Sequence, residues 1–223
     1  MSRREDLGTG SRFGLALMDV VSRALFKIRV SGLEHLPDSG PAVIAGNHVS
    51  ALDGVLLGIV VWRRRGRVTR FLTAAEFFSK RIFGRVLHAF RQIPLRRGEG
   101  DMDALGEAIA TVRDGAVAGI YPEGRVNPDP EAGLQRGRTG VARIALAASA
   151  PVIPVGAWGA QRRWPRDGLR LALPLRPVVA LAFGEPIQLE GDSAIYEETQ
   201  RATDRVMEEI DAQVAVAREL AGP

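Results

Sequence analysis

Apolar residues along this chain fall into short runs separated by longer amphipathic stretches. The clearest run, Pro41-Ala42-Val43-Ile44-Ala45-Gly46, predicts a buried strand over 42–45. Runs at Val68–Thr73, Gln92–Leu95, Val117–Tyr121, Val152–Gly156 and Val178–Phe183 predict further strands. Between them the apolar spacing becomes helical. Asp101–Asp114 has an acidic start, Leu105, Ile109 and Val112 on one face, and Gly115 just past its end. Helices are also predicted from Ser50 to about Trp62, within 76–90, from Thr139 to Ala148, and from about Ser193 to Leu220. Near the N-terminus, Phe13, Leu17, Val20, Val21, Ala24 and Ile28 share one side of a helix over 12–29, opposite Arg12, Asp19 and Arg23. Arg63-Arg64-Arg65-Gly66-Arg67 reads as a basic loop.

This alternation predicts an α/β fold: a single domain with a largely parallel central sheet flanked by helices, plus an N-terminal amphipathic helix. The expected division is 1–30 for that helix and 31–223 for the main domain. A chain of 223 residues suits one such domain with a full core. In these sheets ligands bind beyond the carboxyl ends of the strands. Two polar motifs, one opening at His48 and one at Tyr121, follow strands at such ends.

Charge sharpens the picture. Basic residues number 30 against 26 acidic. From Glu190 onward there are 9 acidic and 3 basic residues, so residues 1–189 carry a net charge of +10. A body this basic favours anionic partners: phosphorylated metabolites, anionic lipid or nucleic acid. Aromatics are sparse and not interleaved with the arginines, which argues against nucleic acid. The absence of cysteine excludes thiol nucleophiles, disulfides and Cys-based metal sites. There is no Gly-Lys pair for a P-loop and no Gly-x-Ser-x-Gly elbow for a serine acyl-enzyme. No run reads as a transmembrane helix, and Asp19 and Arg23 interrupt any signal-like stretch after Arg3-Arg4.

The candidate chemistry starts at His48 and Asp53. A neutral imidazole takes a proton from a hydroxyl, and a carboxylate fixes its tautomer and stabilises the cation. With His48 in the loop and a helix starting at Ser50, Asp53 falls in the first turn and points back. The same spacing makes Ser50-Ala51-Leu52-Asp53 a capping box, which needs no catalysis. In Tyr121-Pro122-Glu123-Gly124-Arg125, Gly124 permits a tight turn and Glu123 can accept a hydrogen bond from a substrate or an arginine; a plain surface turn is the alternative. Arg96 and Arg97 after one strand, and Arg136 and Arg138 before a helix start at Thr139, can hold phosphate or remain solvated.

Taken in order, Asn47-His48 with Asp53 five residues beyond the histidine, Ile93-Pro94-Leu95-Arg96-Arg97, Tyr121-Pro122-Glu123-Gly124 and Val152-Ile153-Pro154-Val155 form a far more specific set. Over roughly residues 30–190 the chain resembles the glycerolipid acyltransferases, in particular the PlsC-type 1-acylglycerol-3-phosphate acyltransferase family. The resemblance implies His48 as general base held by Asp53, Arg97 on the acceptor phosphate, Glu123 and Gly124 at the acceptor, and residues 152–155 supporting the site. It implies acyl transfer from acyl-CoA or acyl-carrier protein to a lysophospholipid hydroxyl. No metal or redox cofactor is called for, and the protein is expected to lie peripherally on the inner, cytoplasmic face of the cell membrane. One position departs: the family's third motif continues Gly-Thr-Arg-Ser, whereas here Gly124 is followed by Arg125, Val126 and Asn127. Arg125, Arg136 or Arg138 then stands in for the missing arginine, or the acceptor differs. A non-catalytic, lipid-binding protein of the same fold is the rival.

Overall fold

The strand predicted at 42–45 is β2 (Ala42–Gly46), and every residue in it is buried. Val43 and Ala45 enter one hydrophobic core, and Ala42 and Ile44 enter another on the opposite face. A strand covered on both faces has no polar side, which is why it reads as a continuous apolar run. The computed structural model describes residues 7–96, 101–170 and 173–222. The other strands are β1 (Lys27–Ser31), β3 (Thr69–Ala74), β4 (Ile93–Leu95), β5 (Val117–Ile120), β6 (Val152–Trp158) and β7 (Val178–Phe183). They form one seven-stranded sheet in the order β1-β7-β6-β2-β5-β3-β4. Only the β6–β7 pairing is antiparallel.

Helices cover both faces. α4 (Met102–Arg113), α5 (Gly140–Ala148) and α6 (Tyr196–Ala221) supply the core on the Val43 side. α2 (Asp53–Arg65) covers the other side with Leu57, Val60 and Val61. α1 (Thr9–Leu25) lies outside α2, where Leu15 and Met18 cluster with Ile59, Val55 and Trp62. α3 (Arg81–Ala89) leads into β4 at the sheet edge. α4 begins as its sequence predicts: Asp101 is the N-cap and accepts from Ala104 N–H at 3.2 Å.

The N-terminal helix and the basic stretch both differ from expectation. The N-terminal helix does not reach residue 29. It ends at Leu25, Phe26 is extended, and Lys27–Ser31 pairs with β7 as an edge strand. Ile28 sits four residues after Ala24 and so matches helical spacing, but it also alternates with Val30, and sheet pairing decides. The basic stretch 63–67 is not a free loop either. Arg63, Arg64 and Arg65 form the last turn of α2, and Gly66 ends it at φ 70°. Arg65 donates to Leu33 C=O at 2.8 Å and to Asp38 at 2.8 Å. Arg67 is buried and donates to the carbonyls of Pro37, Gly40 and Gly115, closing the loops beneath β2 and β5.

Candidate active site

β2 and β5 are parallel neighbours with Ala45 opposite Ile120, so their carboxyl ends bring Asn47-His48 beside Tyr121-Pro122-Glu123. Asn47 is buried, and its amide closes a two-way bond with the Ala157 backbone, donating at 3.0 Å and accepting at 2.7 Å. That pins the start of the loop to β6. His48 is then gripped through its own main chain. Its N–H donates to Glu123 Oε1 at 2.8 Å, and its carbonyl accepts from Asn127 N–H at 2.6 Å. Both partners come from the loop after β5.

The imidazole Nδ1 lies 3.0 Å from Asp53 Oδ2. A carboxylate only accepts, so Nδ1 carries the proton and Nε2 is left as the basic nitrogen. The same oxygen accepts the Val49 and Ser50 N–H groups at 2.8 and 2.7 Å. Asp53 is the first residue of α2, nearly fully buried, and its negative charge meets the positive end of the helix. The carboxylate that faces the imidazole and the one that caps the helix are thus the same. The helix opens later than predicted: Ser50 spends its hydroxyl donating to Trp164 C=O at 2.6 Å and accepting from Leu52 N–H at 3.1 Å. Beneath the imidazole lies the Tyr121 ring, 4.2 Å away between centroids and 13° from parallel.

Glu123 is buried, and neither of its oxygens is idle. Oε1 faces His48 N–H, and Oε2 accepts from Gln135 N–H at 3.0 Å and from the Gln135 amide at 3.3 Å. Burial pushes its carboxyl up, against the downward pull of the hydrogen bonds from His48 and Gln135. Its partners are therefore the backbone of the His48 loop and the Gln135 segment, in place of the substrate or arginine expected for Glu123.

Beyond Gln135 opens a cleft of about 500 Å³ whose walls include Arg125, Arg136, Arg138 and Thr139 at the start of α5. Arg125 Nε donates to Gln135 Oε1 at 2.7 Å. Gly124 sits at φ 71°, and a Cβ there would approach Arg138 Nε to 2.8 Å, so glycine is what lets that guanidinium cross the turn. The three arginines therefore gather next to Glu123, and His48 lies on its other side. Arg97 lies outside the described residues. Arg96 does not point to the cleft: its side chain pairs with Asp103 at 2.8 Å and its N–H donates to Asp101 at 2.8 Å. Residues 152–155 are buried in β6, where they pair with β2 behind the site.

Sequence reasoning passed over Tyr121 as a strand end and gave no role to Asn127 or Gln135. The aromatic beside Pro122 was visible as a signal; nothing in the sequence marks Gln135. Among the described residues no cluster of His, Asp and Glu could hold a metal, and no helix is long and apolar enough to cross a membrane. α1 does leave its apolar side open: Phe13 is 72% exposed and Val20 64%, with Leu17, Val21 and Leu25 also exposed. Exposed Trp164, Leu173 and Leu175 stand on the loop that Ser50 holds. The buried Arg163 shapes that loop by donating to the carbonyls of Arg170, Pro174 and Leu175. Arg176 ties it to α1 through the Arg23 carbonyl.

Comparison with known proteins gives consistent results. Residues 27–158 match the family model described as Acyltransferase. The crystal structure of the 1-acyl-sn-glycerophosphate (LPA) acyltransferase PlsC from Thermotoga maritima superposes with a TM-score of 0.68 at 24% identity, covering 98% of this chain and 85% of that one. An uncharacterised protein of Mycobacterium tuberculosis is 27% identical over 98% of this chain and 70% of its own length. A 1-acyl-sn-glycerol-3-phosphate acyltransferase of Bacillus subtilis is 24% identical over 72% of this chain and 73% of its own length. An N-acylphosphatidylethanolamine synthase of Arabidopsis thaliana is 28% identical over 69% of this chain and 58% of its own length.

Proposed function

The chain belongs to the acyltransferase family, and from that premise we propose that it transfers an acyl group from acyl-CoA or acyl-carrier protein to the hydroxyl of a lysophospholipid, 1-acylglycerol-3-phosphate first among them. The observation that carries this reading is the 3.0 Å bond from His48 Nδ1 to an Asp53 oxygen already anchored by two backbone N–H groups. His48 Nε2 removes the hydroxyl proton as the oxygen attacks the thioester carbonyl. The tetrahedral intermediate collapses, the C–S bond breaks, and the leaving thiolate takes the proton from the imidazolium. Ester and free thiol are the products, and Asp53 stabilises the cation between the two steps.

The arginine cleft supports an acceptor with a phosphate. Arg125, Arg136 and Arg138 supply the charge that the arginine missing at Val126 would have brought. That substitution also favours one alternative, a different glycerolipid acceptor, the amine of phosphatidylethanolamine included. Docking is peripheral, on the cytoplasmic face of the membrane. The open apolar side of α1 enters the interface, while the basic body faces anionic headgroups.

Purified protein mixed with palmitoyl-CoA and a panel of lysolipids tests the reaction through the free thiol released. We expect thiol release to require lysophosphatidic acid; release with phosphatidylethanolamine instead selects the alternative. Folded protein that releases no thiol with any acceptor refutes acyl transfer. For docking, vesicles containing phosphatidylglycerol should sediment the protein at low salt and lose it at high salt. Binding equal to that of wild type in a Leu17→Ser, Val20→Ser variant would exclude α1.

A further inference from the structure

His48 rests on a column of aromatic rings. Tyr121 stacks on the imidazole at 4.2 Å and 13°, and Phe71 stacks behind Tyr121 at 5.6 Å and 6°. Space for the column is made at Gly119, and three other glycines border it at contact distance. Gly54 and Gly58, one turn apart on α2, face it: a Cβ at Gly54 would lie 3.7 Å from the Tyr121 hydroxyl and 3.9 Å from Phe71, and one at Gly58 would lie 3.8 Å from Phe71. A Cβ at Gly119 would strike Phe71 at 2.5 Å, and one at Gly46 would lie 3.5 Å from the Tyr121 ring.

The phenol itself does little. Its oxygen is buried with no hydrogen-bond partner. Burial pushes its pKa well above the usual tyrosine value, and the Asp53 charge adds to that, so it stays neutral and exchanges no proton at working pH. What reaches His48 is the face of the ring. An aromatic face carries negative charge density, and a cation within about 6 Å of its centroid is attracted to it.

We propose that Tyr121 is a positioning residue whose ring face holds the His48 imidazole flat against the site and favours the imidazolium formed during turnover. The inference rests on the acyl-transfer reading for its consequence in kcat, though not for its geometry. The groups facing His48 divide the work. Asp53, from α2, bonds Nδ1; Glu123, from the loop after β5, bonds the main-chain N–H; Tyr121, from the end of β5, covers one ring face.

The test varies the ring face while keeping its shape. Tyr121→Phe retains the face and loses only an unpartnered hydroxyl; replacement of Tyr121 by pentafluorophenylalanine reverses the quadrupole in nearly the same volume; Tyr121→Leu removes the ring. In NMR titrations of the full chain, the His48 imidazole signal, assigned by its loss in His48→Ala, should titrate as in wild type for Tyr121→Phe. It should titrate about half to one pH unit lower for the fluorinated and leucine variants. With palmitoyl-CoA and 1-oleoyl lysophosphatidic acid, kcat should fall about 10-fold in those two, with both KM values unchanged, and should recover in Tyr121→Phe. The NMR readout needs no substrate, so it decides the proposal even if this substrate pair is not turned over, an outcome that bears on the choice of acceptor and not on the ring face. Should Tyr121→Leu fail to fold, the comparison of phenylalanine with its fluorinated analogue decides. Equal His48 titration in those two overturns the proposal.

Discussion

Asp53→Asn separates the two duties of one carboxylate. Asp53 Oδ2 accepts from His48 Nδ1, Val49 N–H and Ser50 N–H, while Oδ1 is buried without a partner. Asparagine is nearly the same shape, and its amide group cannot replace the oxygen against two backbone donors. Its carbonyl is therefore held facing Val49 and Ser50, and Nδ1 keeps the same acceptor. The tautomer of His48 survives, and only the negative charge is lost. A hydrogen bond to a charged group contributes about 1.5–3 kcal/mol, so kcat should fall about 10- to 100-fold. That is far less than the loss of roughly 10⁴ seen where an asparagine imposes the wrong tautomer on a catalytic histidine. Stability should drop by only about 0.3–1 kcal/mol, the helix-terminus charge interaction. Asp53→Ala instead strands two buried N–H groups and should cost about 2–6 kcal/mol. Thiol release by palmitoyl-CoA with lysophosphatidic acid gives kcat, and urea unfolding gives stability. A fall in kcat near 10⁴ for Asp53→Asn, or unfolding as severe as that of Asp53→Ala, would refute the pinned-oxygen argument. Unchanged kcat would show that the Asp53 charge does not act on His48.

Other outcomes follow from the same geometry. His48→Ala should abolish thiol release while shifting urea unfolding by only about 0.5–1.5 kcal/mol, the value of the lost ring stacking, because the main-chain bonds of residue 48 to Glu123 and Asn127 remain. Arg125→Ala and Arg138→Ala should each raise KM for lysophosphatidic acid about 10-fold and leave KM for palmitoyl-CoA unchanged, since a charged hydrogen bond to phosphate contributes about 1.5–3 kcal/mol; unchanged acceptor KM in both places the phosphate elsewhere. Asp101 is held at about 2, below its ordinary 3.8, by the N–H groups of Arg96 and Ala104 and then by the Arg96 guanidinium. A depressed folded pKa contributes stability above the unfolded value and loses it as pH falls through the folded one. Urea midpoints should therefore drop between pH 4 and pH 2 more steeply in wild type than in Asp101→Asn; parallel curves would contradict this.

How much of this was legible depended on how local each signal was. The buried strand β2, the turn back from Asp53 and the cap at Asp101 are written within a few residues, and short-range physics settles them. The edge strand β1 was not, because Lys27–Ser31 gains its identity from pairing with β7, about 150 residues away. The arginines at 63–67 looked free because the carbonyls that take Arg65 and Arg67 belong to loops near 33–40 and 115, with no local mark. The partners of Glu123 carry no local mark for the same reason: His48 and Gln135 lie 75 and 12 residues away. Buried polar residues need partners, but sequence does not say which ones.

The spacing between His48 and Asp53 has a physical basis that joins the capping and catalytic readings. A helix start presents unpaired N–H groups and partial positive charge, and an acidic side chain in the first turn folds back to meet them. Here Asp53 does so toward Val49 and Ser50, and the chain just before those donors is the loop that carries His48. An imidazole on that loop meets the oxygen already held for the cap, at 3.0 Å. Alignment of the imidazole thus adds little ordering cost beyond that of forming α2, since the carboxylate is fixed whether or not the imidazole is there. The reverse does not hold. Moving the acidic residue one place along α2 turns it by about 100° around the helix axis, which breaks the cap and the imidazole bond together. Stability and catalysis should therefore fail together when the position of Asp53 changes, and separate only when its charge is removed in place.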